Sequence, residues 1–170
     1  GMFHVQQCAR EACRQGQPVR MCETEQCRDC RERWNLLEDF CKALDRNEFQ
    51  LYVQFFVDAT TFRIVGGEAL SRWYHPRFGL LSPARYIPLL EETGQIEALD
   101  FYGLEKACDF LEELGRRQVR DFFISCNFAR KTFSAPGFAQ RCMQVIQRYS
   151  FPQKLLILEI TESQQMDRLQ

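Results

Sequence analysis

The sequence predicts an α/β fold in which helices alternate with the strands of a mostly parallel sheet. Two strongly apolar strands are predicted at 121–127 and 154–160, and a helix is predicted between them at 137–149. Strands that are apolar on both faces are typical of parallel sheets covered by helices. This alternation is consistent with either a barrel or an open, doubly wound sheet.

An antiparallel hairpin is predicted ahead of these units. Residues 49–57 are rich in aromatic and β-branched side chains, and residues 62–73 form a second strand after a short turn at 58–61. A connection this short joins antiparallel neighbours. The hairpin is followed by a predicted loop at 75–79.

Two helices are predicted between the hairpin and the first apolar strand. Ser82 and Pro83 supply an N-cap and a first-turn proline for a helix that Gly94 ends. A longer helix is predicted over 97–114, with Gly115 as its stop signal. Its apolar side carries Ile96, Leu99, Leu104, Ala107, Cys108 and Leu111.

Residues 1–48 are predicted to form an N-terminal helical linker, separate from residues 49–170. A short helix is predicted at 3–15 and a strand at 19–22, and a longer helix begins at Cys27. An apolar stripe with spacings of three and four residues marks one face of the longer helix. Its members are Cys27, Cys30, Trp34, Leu37, Cys41 and Leu44. Core packing of this stripe is favoured over pairing with a second copy.

The composition argues against several classes of protein. A net charge of −1 and a pI near 6.2 do not suggest binding to nucleic acid or to an anionic membrane surface. Apolar stretches fall short of the ~20 residues that a membrane-spanning helix requires. Nine cysteines without a secretory signal indicate reduced thiols in a cytoplasmic protein.

A zinc site is the alternative interpretation of the clustered cysteines. Cys22, Cys27 and Cys30 have the spacing C-x4-C-x2-C, but no second cysteine or histidine pair follows to complete four ligands. Cys27 and Cys30 are the first two members of the apolar helix stripe, which explains the C-x-x-C pair without a metal. We therefore favour a structural role for these cysteines.

Three predicted strands end in polar side chains, namely Glu68, Asn127 and Glu159. In α/β barrels, polar groups at the carboxyl ends of strands converge on one site. Two carboxylates and an amide oxygen suit Mg²⁺ or Mn²⁺ rather than zinc. Arg72 shares the predicted face of Glu68 and could bind a phosphate. The alternative is structural, with each polar group capping a strand end or Glu68 pairing with Arg72.

Several motifs along residues 49–170 together match one known family. They are Glu68-Ala69-Leu70, Arg72-Trp73-Tyr74-His75-Pro76, Leu80-Leu81-Ser82-Pro83, Tyr86-Ile87-Pro88, Glu91-Glu92-Thr93-Gly94 and Leu158-Glu159-Ile160-Thr161-Glu162-Ser163. With these motifs the chain resembles the EAL domain, the family of cyclic-di-GMP phosphodiesterases. The family fold is a TIM-type barrel with an antiparallel first strand, so the resemblance implies a partial (β/α) barrel.

The resemblance also implies roles for particular residues. The implied catalytic residues, which are also the ligands of a Mg²⁺ or Mn²⁺ ion, are Glu68, Asn127 and Glu159. Leu70 and Arg72 would contact cyclic-di-GMP, with Arg72 at a phosphate. Gln54 matches a ligand-binding glutamine on the family's first strand. The implied reaction is hydrolysis of cyclic-di-GMP to linear pGpG.

The sequence departs from the family pattern in three places. A Gln-Pro motif is Gln54-Phe55 here, and an Asn-Leu-Ser motif is Asn127-Phe128-Ala129. The family's Asp-Asp pair and catalytic lysine would follow residue 170. Because a closed barrel takes ~250 residues, residues 49–170 supply about half of one. We therefore expect this chain not to hydrolyse cyclic-di-GMP.

A half barrel leaves strand edges that invite pairing with another chain. We expect a homodimer or an otherwise completed sheet, through the barrel edges or through the helix at 27–44.

Residues 1–48 weakly resemble the end of a GGDEF domain and a linker helix, so we expect a longer, multidomain signalling protein. The alternative function is a non-enzymatic regulatory or protein-interaction module on the EAL scaffold.

Overall fold

The structure, a computed structural model, describes residues 25–161. The chain divides into two compact units, residues 1–43 and residues 44–170. The helix predicted at 3–15, the strand predicted at 19–22 and the last helix, predicted beyond Thr161, lie outside the described residues.

The described part of the first unit is one helix, α1, which spans Glu25–Ala43. Among the side chains of this helix that the structure describes, Leu36, Phe40 and Ala43 are buried. The predicted stripe is wrong in its described part, because Cys41 is exposed and Leu37 is only half-buried. The predicted stripe and the observed buried residues both have helical spacing, and the two are offset by one residue. Periodicity alone therefore does not show which of them is buried. The side chains of Cys27, Cys30 and Trp34 lie outside the described part of the structure.

The second unit contains a five-stranded sheet within its described residues. The strands are β1 (Phe49–Val57), β2 (Ile64–His75), β3 (Gly79–Leu81), β4 (Phe123–Ala129) and β5 (Leu156–Thr161). Their order is β1-β2-β4-β5, and β3 pairs with β2. β1 is antiparallel to β2, whereas β2, β4 and β5 are parallel. The predicted partial barrel with an antiparallel first strand is therefore confirmed.

The hairpin of β1 and β2 is present, but β2 begins and ends two residues later than predicted. Phe62 has a positive φ of 55° and belongs to the turn, where the N–H of Thr60 donates to Asp58 Oδ1 at 2.8 Å. At its other end β2 continues to His75 and pairs with β3. The segment predicted as a loop at 75–79 is therefore the turn of a second hairpin.

The helices of the second unit lie between the strands in sequence. They are α2 (Pro83–Thr93), α3 (Ile96–Arg116), α4 (Arg130–Phe133) and α5 (Phe138–Ile146), and a 3-10 turn spans Gln153–Leu155. Gly94 ends α2 as predicted, with a φ of 77°. Gly115 does not end α3, because the helix continues to Arg116 and the N–H of Arg117 caps it through Glu113 O. None of the described helices is long and apolar enough to cross a membrane.

Helix α3 covers one face of the sheet and forms the core with β4. The predicted apolar side of α3 is confirmed, since all six of its members are buried. The core side chains that α3 and β4 share are Phe101, Leu104, Ala107, Cys108, Leu111, Ile124, Cys126 and Phe128. Strand β5 differs from its prediction, because Ile157, Leu158 and Ile160 are exposed at the edge of the described sheet.

Two glycines let β2 lie unusually close to its neighbours. A Cβ on Gly67 would fall 2.4 Å from Val53 Cγ1 and 2.9 Å from the carbonyl oxygen of Gln54. A Cβ on Gly66 would fall 2.7 Å from the backbone oxygen of Phe123. Because real side chains do not tolerate such distances, glycine is required where β2 meets both β1 and β4.

The Asp100 side chain on α3 connects this helix to the end of β4. Its Oδ2 accepts hydrogen bonds from the N–H of Ala129 at 3.0 Å and from Thr132 Oγ1 at 2.5 Å. Burial raises the pKa of Asp100 from 3.8 to about 6, against the opposing effect of these two hydrogen bonds. The carboxylate thus holds the turn between β4 and α4, two residues beyond Asn127.

Replacing Asp100 with Asn removes the titrating group and keeps an oxygen acceptor. Because the pKa of Asp100 is higher in the folded chain, its stabilising contribution is complete below pH 3.8 and is lost as the pH rises through about 6. In urea unfolding, we expect the wild type to lose roughly 2 kcal/mol relative to Asp100→Asn between about pH 4 and about pH 6.5.

Glu113→Gln is the matched control for this titration. A hydrogen bond from Arg117 lowers the pKa of Glu113, so the contribution of Glu113 to stability is lost on acidification instead. The wild type should therefore gain stability relative to Glu113→Gln as the pH rises. Equal slopes for the wild type and Asp100→Asn would contradict the account of Asp100.

Candidate functional site

The register of the parallel strands places Glu68, Asn127 and Glu159 on one face of the sheet. Glu68 on β2 is in register with Ser125 on β4, and Asn127 is in register with Glu159 on β5. Residues in register on adjacent strands share a face, and so do residues two apart along one strand. The three predicted site residues therefore occupy adjacent strands of the same face, opposite the face that α3 covers.

Two of the three side chains are in direct contact. Asn127 Nδ2 donates to Glu68 Oε1 at 2.5 Å, and Thr161 Oγ1 donates to Asn127 Oδ1 at 3.1 Å. Glu68 and Asn127 are half-buried, whereas Glu159 is exposed beside them. The structure thus brings together Glu68 and Asn127 from strands that are 59 residues apart in sequence.

The donor set is suited to a hard divalent cation. Mg²⁺ and Mn²⁺ prefer oxygen ligands, and the set offers two carboxylates and one amide oxygen. An amide's oxygen and nitrogen are assigned from its hydrogen bonds, and rotating the Asn127 amide would direct Oδ1 towards Glu68. Thr161 could then accept from Nδ2. Among residues 25–161, no group of three or more His, Cys, Asp or Glu side chains forms a metal site.

Ser125 contributes an unsatisfied polar atom to the same face. Its Oγ is fully buried and has no hydrogen-bond partner among the described residues. Ser125 is in register with Glu68 and lies two residues before Asn127. Buried hydroxyls are normally hydrogen-bonded, so Ser125 is an exception within the described part of the structure.

Arg72 lies on the same face as Glu68, four residues further along β2. Its Nη1 donates to Ser71 O at 3.1 Å, and its guanidinium lies 5.9 Å from the centroid of the Tyr52 ring. The alternative prediction is an ion pair between Glu68 and Arg72. In the structure Glu68 instead accepts a hydrogen bond from Asn127. Arg72 remains available to an anion through its other N–H groups.

The two remaining predicted ligand contacts flank Glu68. Leu70 lies between Glu68 and Arg72 on the same face and is half-buried. Gln54 on β1 is in register with Glu68 and is exposed. Leu70 and Gln54 are therefore immediate neighbours of Glu68 on this face, in positions that a ligand above the face could reach.

A cavity of about 330 Å³ adjoins this cluster. Its polar and charged lining includes Glu68, Arg72, Asn127, Thr161, Glu91, Asp100 and Tyr86. Burial raises the pKa of Tyr86 to about 12, and the neutral hydroxyl donates to Ser71 O at 3.3 Å. The neighbouring Arg72 opposes this rise in the pKa.

Sequence reasoning did not identify Asp100 or Tyr86 as part of this site. Both lie on helices, and long-range folding brings them to the strand ends. Asp100 had one visible signal, because a carboxylate directly after Leu99 on the apolar side of a helix requires polar partners. Tyr86 belongs to the Tyr86-Ile87-Pro88 motif of the family, but the motif does not indicate where the tyrosine hydroxyl points.

A comparison with protein families matches residues 37–170 to the EAL domain. Among curated proteins, the chain is 34% identical over 146 residues to the bifunctional diguanylate cyclase/cyclic di-GMP phosphodiesterase MucR of Pseudomonas aeruginosa. This alignment covers 81% of the chain and 20% of MucR. The chain is also 31% identical over 120 residues to the cyclic di-GMP phosphodiesterase PdeL of Escherichia coli, covering 71% of the chain and 33% of PdeL.

A solved structure of the PaMucR phosphodiesterase in complex with c-di-GMP superimposes with a TM-score of 0.71 at 34% identity. The superposition covers 79% of this chain and 54% of that one, so the chain spans about half of the solved domain. The FimX EAL domain of Xanthomonas citri, at 20% identity and a TM-score of 0.67, shares the same fold. The chain belongs to the EAL domain family.

Proposed function

We propose that the protein binds cyclic-di-GMP over the face that carries Glu68, Asn127 and Glu159. The observation that carries this proposal is the contact between Glu68 and Asn127, with Arg72 on the same strand and face. The ligand's phosphodiesters require a cation or a guanidinium, and this face carries oxygen ligands suited to a cation together with Arg72. The MucR relative was solved with c-di-GMP bound, which supports the choice of ligand.

Each residue has a distinct part in this proposal. Glu68, Asn127 and Glu159 would hold Mg²⁺ or Mn²⁺, and Arg72 would bind a phosphate through paired N–H groups. A bound divalent ion polarises a phosphoryl oxygen and can activate a water. Leu70 and Gln54 would contact the ligand from either side of Glu68. Asp100 would keep the end of β4 in place through Ala129.

Arg72→Ala tests the phosphate contact. Removing a charge-assisted hydrogen bond costs about 1.5–3 kcal/mol, so we expect the Kd for cyclic-di-GMP to rise at least about tenfold in calorimetry with Mg²⁺. Arg63→Ala is the control, since it makes the same change in charge at an exposed position before β2 begins. An unchanged Kd for Arg72→Ala would contradict the assignment of Arg72.

The same samples test hydrolysis. We expect binding without cleavage by the 170-residue chain, which spans about half of the solved PaMucR phosphodiesterase. Formation of linear pGpG by this chain with Mg²⁺ or Mn²⁺ would overturn that expectation. Failure of the wild type to bind cyclic-di-GMP would favour the alternative, a non-enzymatic interaction module on the EAL scaffold.

We also propose a homodimer formed through the edge of the sheet at β5. Ile160 is 49% exposed there, next to the exposed Ile157 and Leu158, and a flat apolar edge favours pairing with a second strand. In light scattering we expect twice the chain mass of 20.1 kDa. Ile160→Lys should give monomers, whereas Met143→Lys, the same type of change at a 41% exposed residue on α5, should not. A monomeric wild type would contradict the proposal.

A cytoplasmic location is also proposed. The buried cysteines Cys108, Cys126 and Cys142 are free thiols, as expected in a reducing compartment. Burial raises the pKa of Cys108 to about 12, which keeps that thiol protonated and unreactive. These cysteines act as small core residues.

A further inference from the structure

Two tyrosines next to Arg72, Tyr52 on β1 and Tyr74 on β2, are exposed, whereas aromatic residues on the other face of the same strands include two that are buried in the core. Tyr52 is 44% exposed and Tyr74 is 36% exposed, whereas Trp73 and Phe49 on the opposite face are 0% and 2% exposed. Aromatic side chains on a sheet are usually buried when a covering layer is available. Tyr52 and Tyr74 are thus presented to the face that carries the candidate site.

The two tyrosine rings form one aromatic surface. Their centroids are 6.5 Å apart with an angle of 24° between the planes, and their hydroxyl groups are hydrogen-bonded to each other. That hydrogen bond raises the pKa of Tyr74. The phenol of Tyr74 therefore stays neutral at physiological pH and does not repel an anionic ligand.

The surface is adjacent to the phosphate-binding residue. Tyr74 is two residues beyond Arg72 on β2, and Tyr52 is in register with Leu70, between Arg72 and Glu68. The Arg72 guanidinium lies 5.9 Å from the Tyr52 ring centroid. A cation and an exposed aromatic face at this separation match the two parts of a nucleotide, a phosphate and a planar base.

We propose that Tyr52 and Tyr74 form a stacking surface for a purine base of the nucleotide whose phosphate Arg72 binds. The inference rests on the proposed function for its ligand and adds the residues that recognise the base. Base–aromatic stacking contributes about 1–3 kcal/mol per base and does not depend on the base's hydrogen-bonding edge. The tyrosines would therefore add affinity for cyclic-di-GMP without selecting guanine over adenine.

Leucine variants test the stacking directly. Tyr52→Leu and Tyr74→Leu keep apolar bulk but lose the aromatic face, so we expect the Kd for cyclic-di-GMP to rise roughly tenfold in each. Tyr52→Phe and Tyr74→Phe keep the ring and should stay within about twofold of the wild type. Phe62→Leu is the control, because Phe62 is 81% exposed in the turn at the far end of β2.

An NMR measurement on the wild type keeps the test independent of how the variants fold. Stacking on a tyrosine shifts the guanine H8 resonance of bound cyclic-di-GMP upfield, and the leucine variants should lose part of this shift. If Arg72→Ala weakens binding while both leucine variants bind normally, the proposed function stands and the stacking surface is wrong. The absence of an upfield shift in the bound wild type also overturns it. If the wild type binds no cyclic-di-GMP, both proposals fail.

Discussion

The parallel pairing of β2 with β4 decides which side chains can meet at the candidate site. Glu68 is in register with Ser125, and this register places Asn127 on the face of Glu68. A slip of one residue would turn Asn127 to the face covered by α3 and would expose the core residues of β4. Gly66 and Gly67 allow β2 to lie close to both neighbouring strands, because a Cβ on either residue would clash with a backbone oxygen.

The two faces of the sheet have different roles because α3 covers only one of them. On the covered face, Leu104 and Leu111 pack with Ile124 and related side chains into the core. On the open face, the strands present carboxylates, an amide, an arginine and two exposed tyrosines. Fully burying a charged group would be costly, and Glu68 and Arg72 are only half-buried on this face. Both therefore remain accessible to ligands. Asp100 connects the layers, because it reaches from α3 to the backbone at the end of β4.

Much of this arrangement follows from local sequence patterns. Alternation along the strands predicts that Glu68 and Arg72 share a face, and the spacing of Leu104, Ala107 and Leu111 predicts the buried side of α3. Sequence did not predict β3, because three residues after a Pro-containing turn give too weak a strand signal. It also placed the end of α3 at Gly115, where pairs such as Arg116 with Glu112 extend the helix.

The central claim is that Glu68, Asn127 and Glu159 form one divalent-metal site, and a Mn²⁺ titration followed by NMR tests it most directly. Paramagnetic Mn²⁺ bound there should broaden the side-chain amide signal of Asn127 at substoichiometric metal. The Gln118 amide, in the turn that precedes β4, should stay sharp, and Glu68→Gln should restore the Asn127 signal. Equal broadening of both amides, or no effect on Asn127, would contradict the claim.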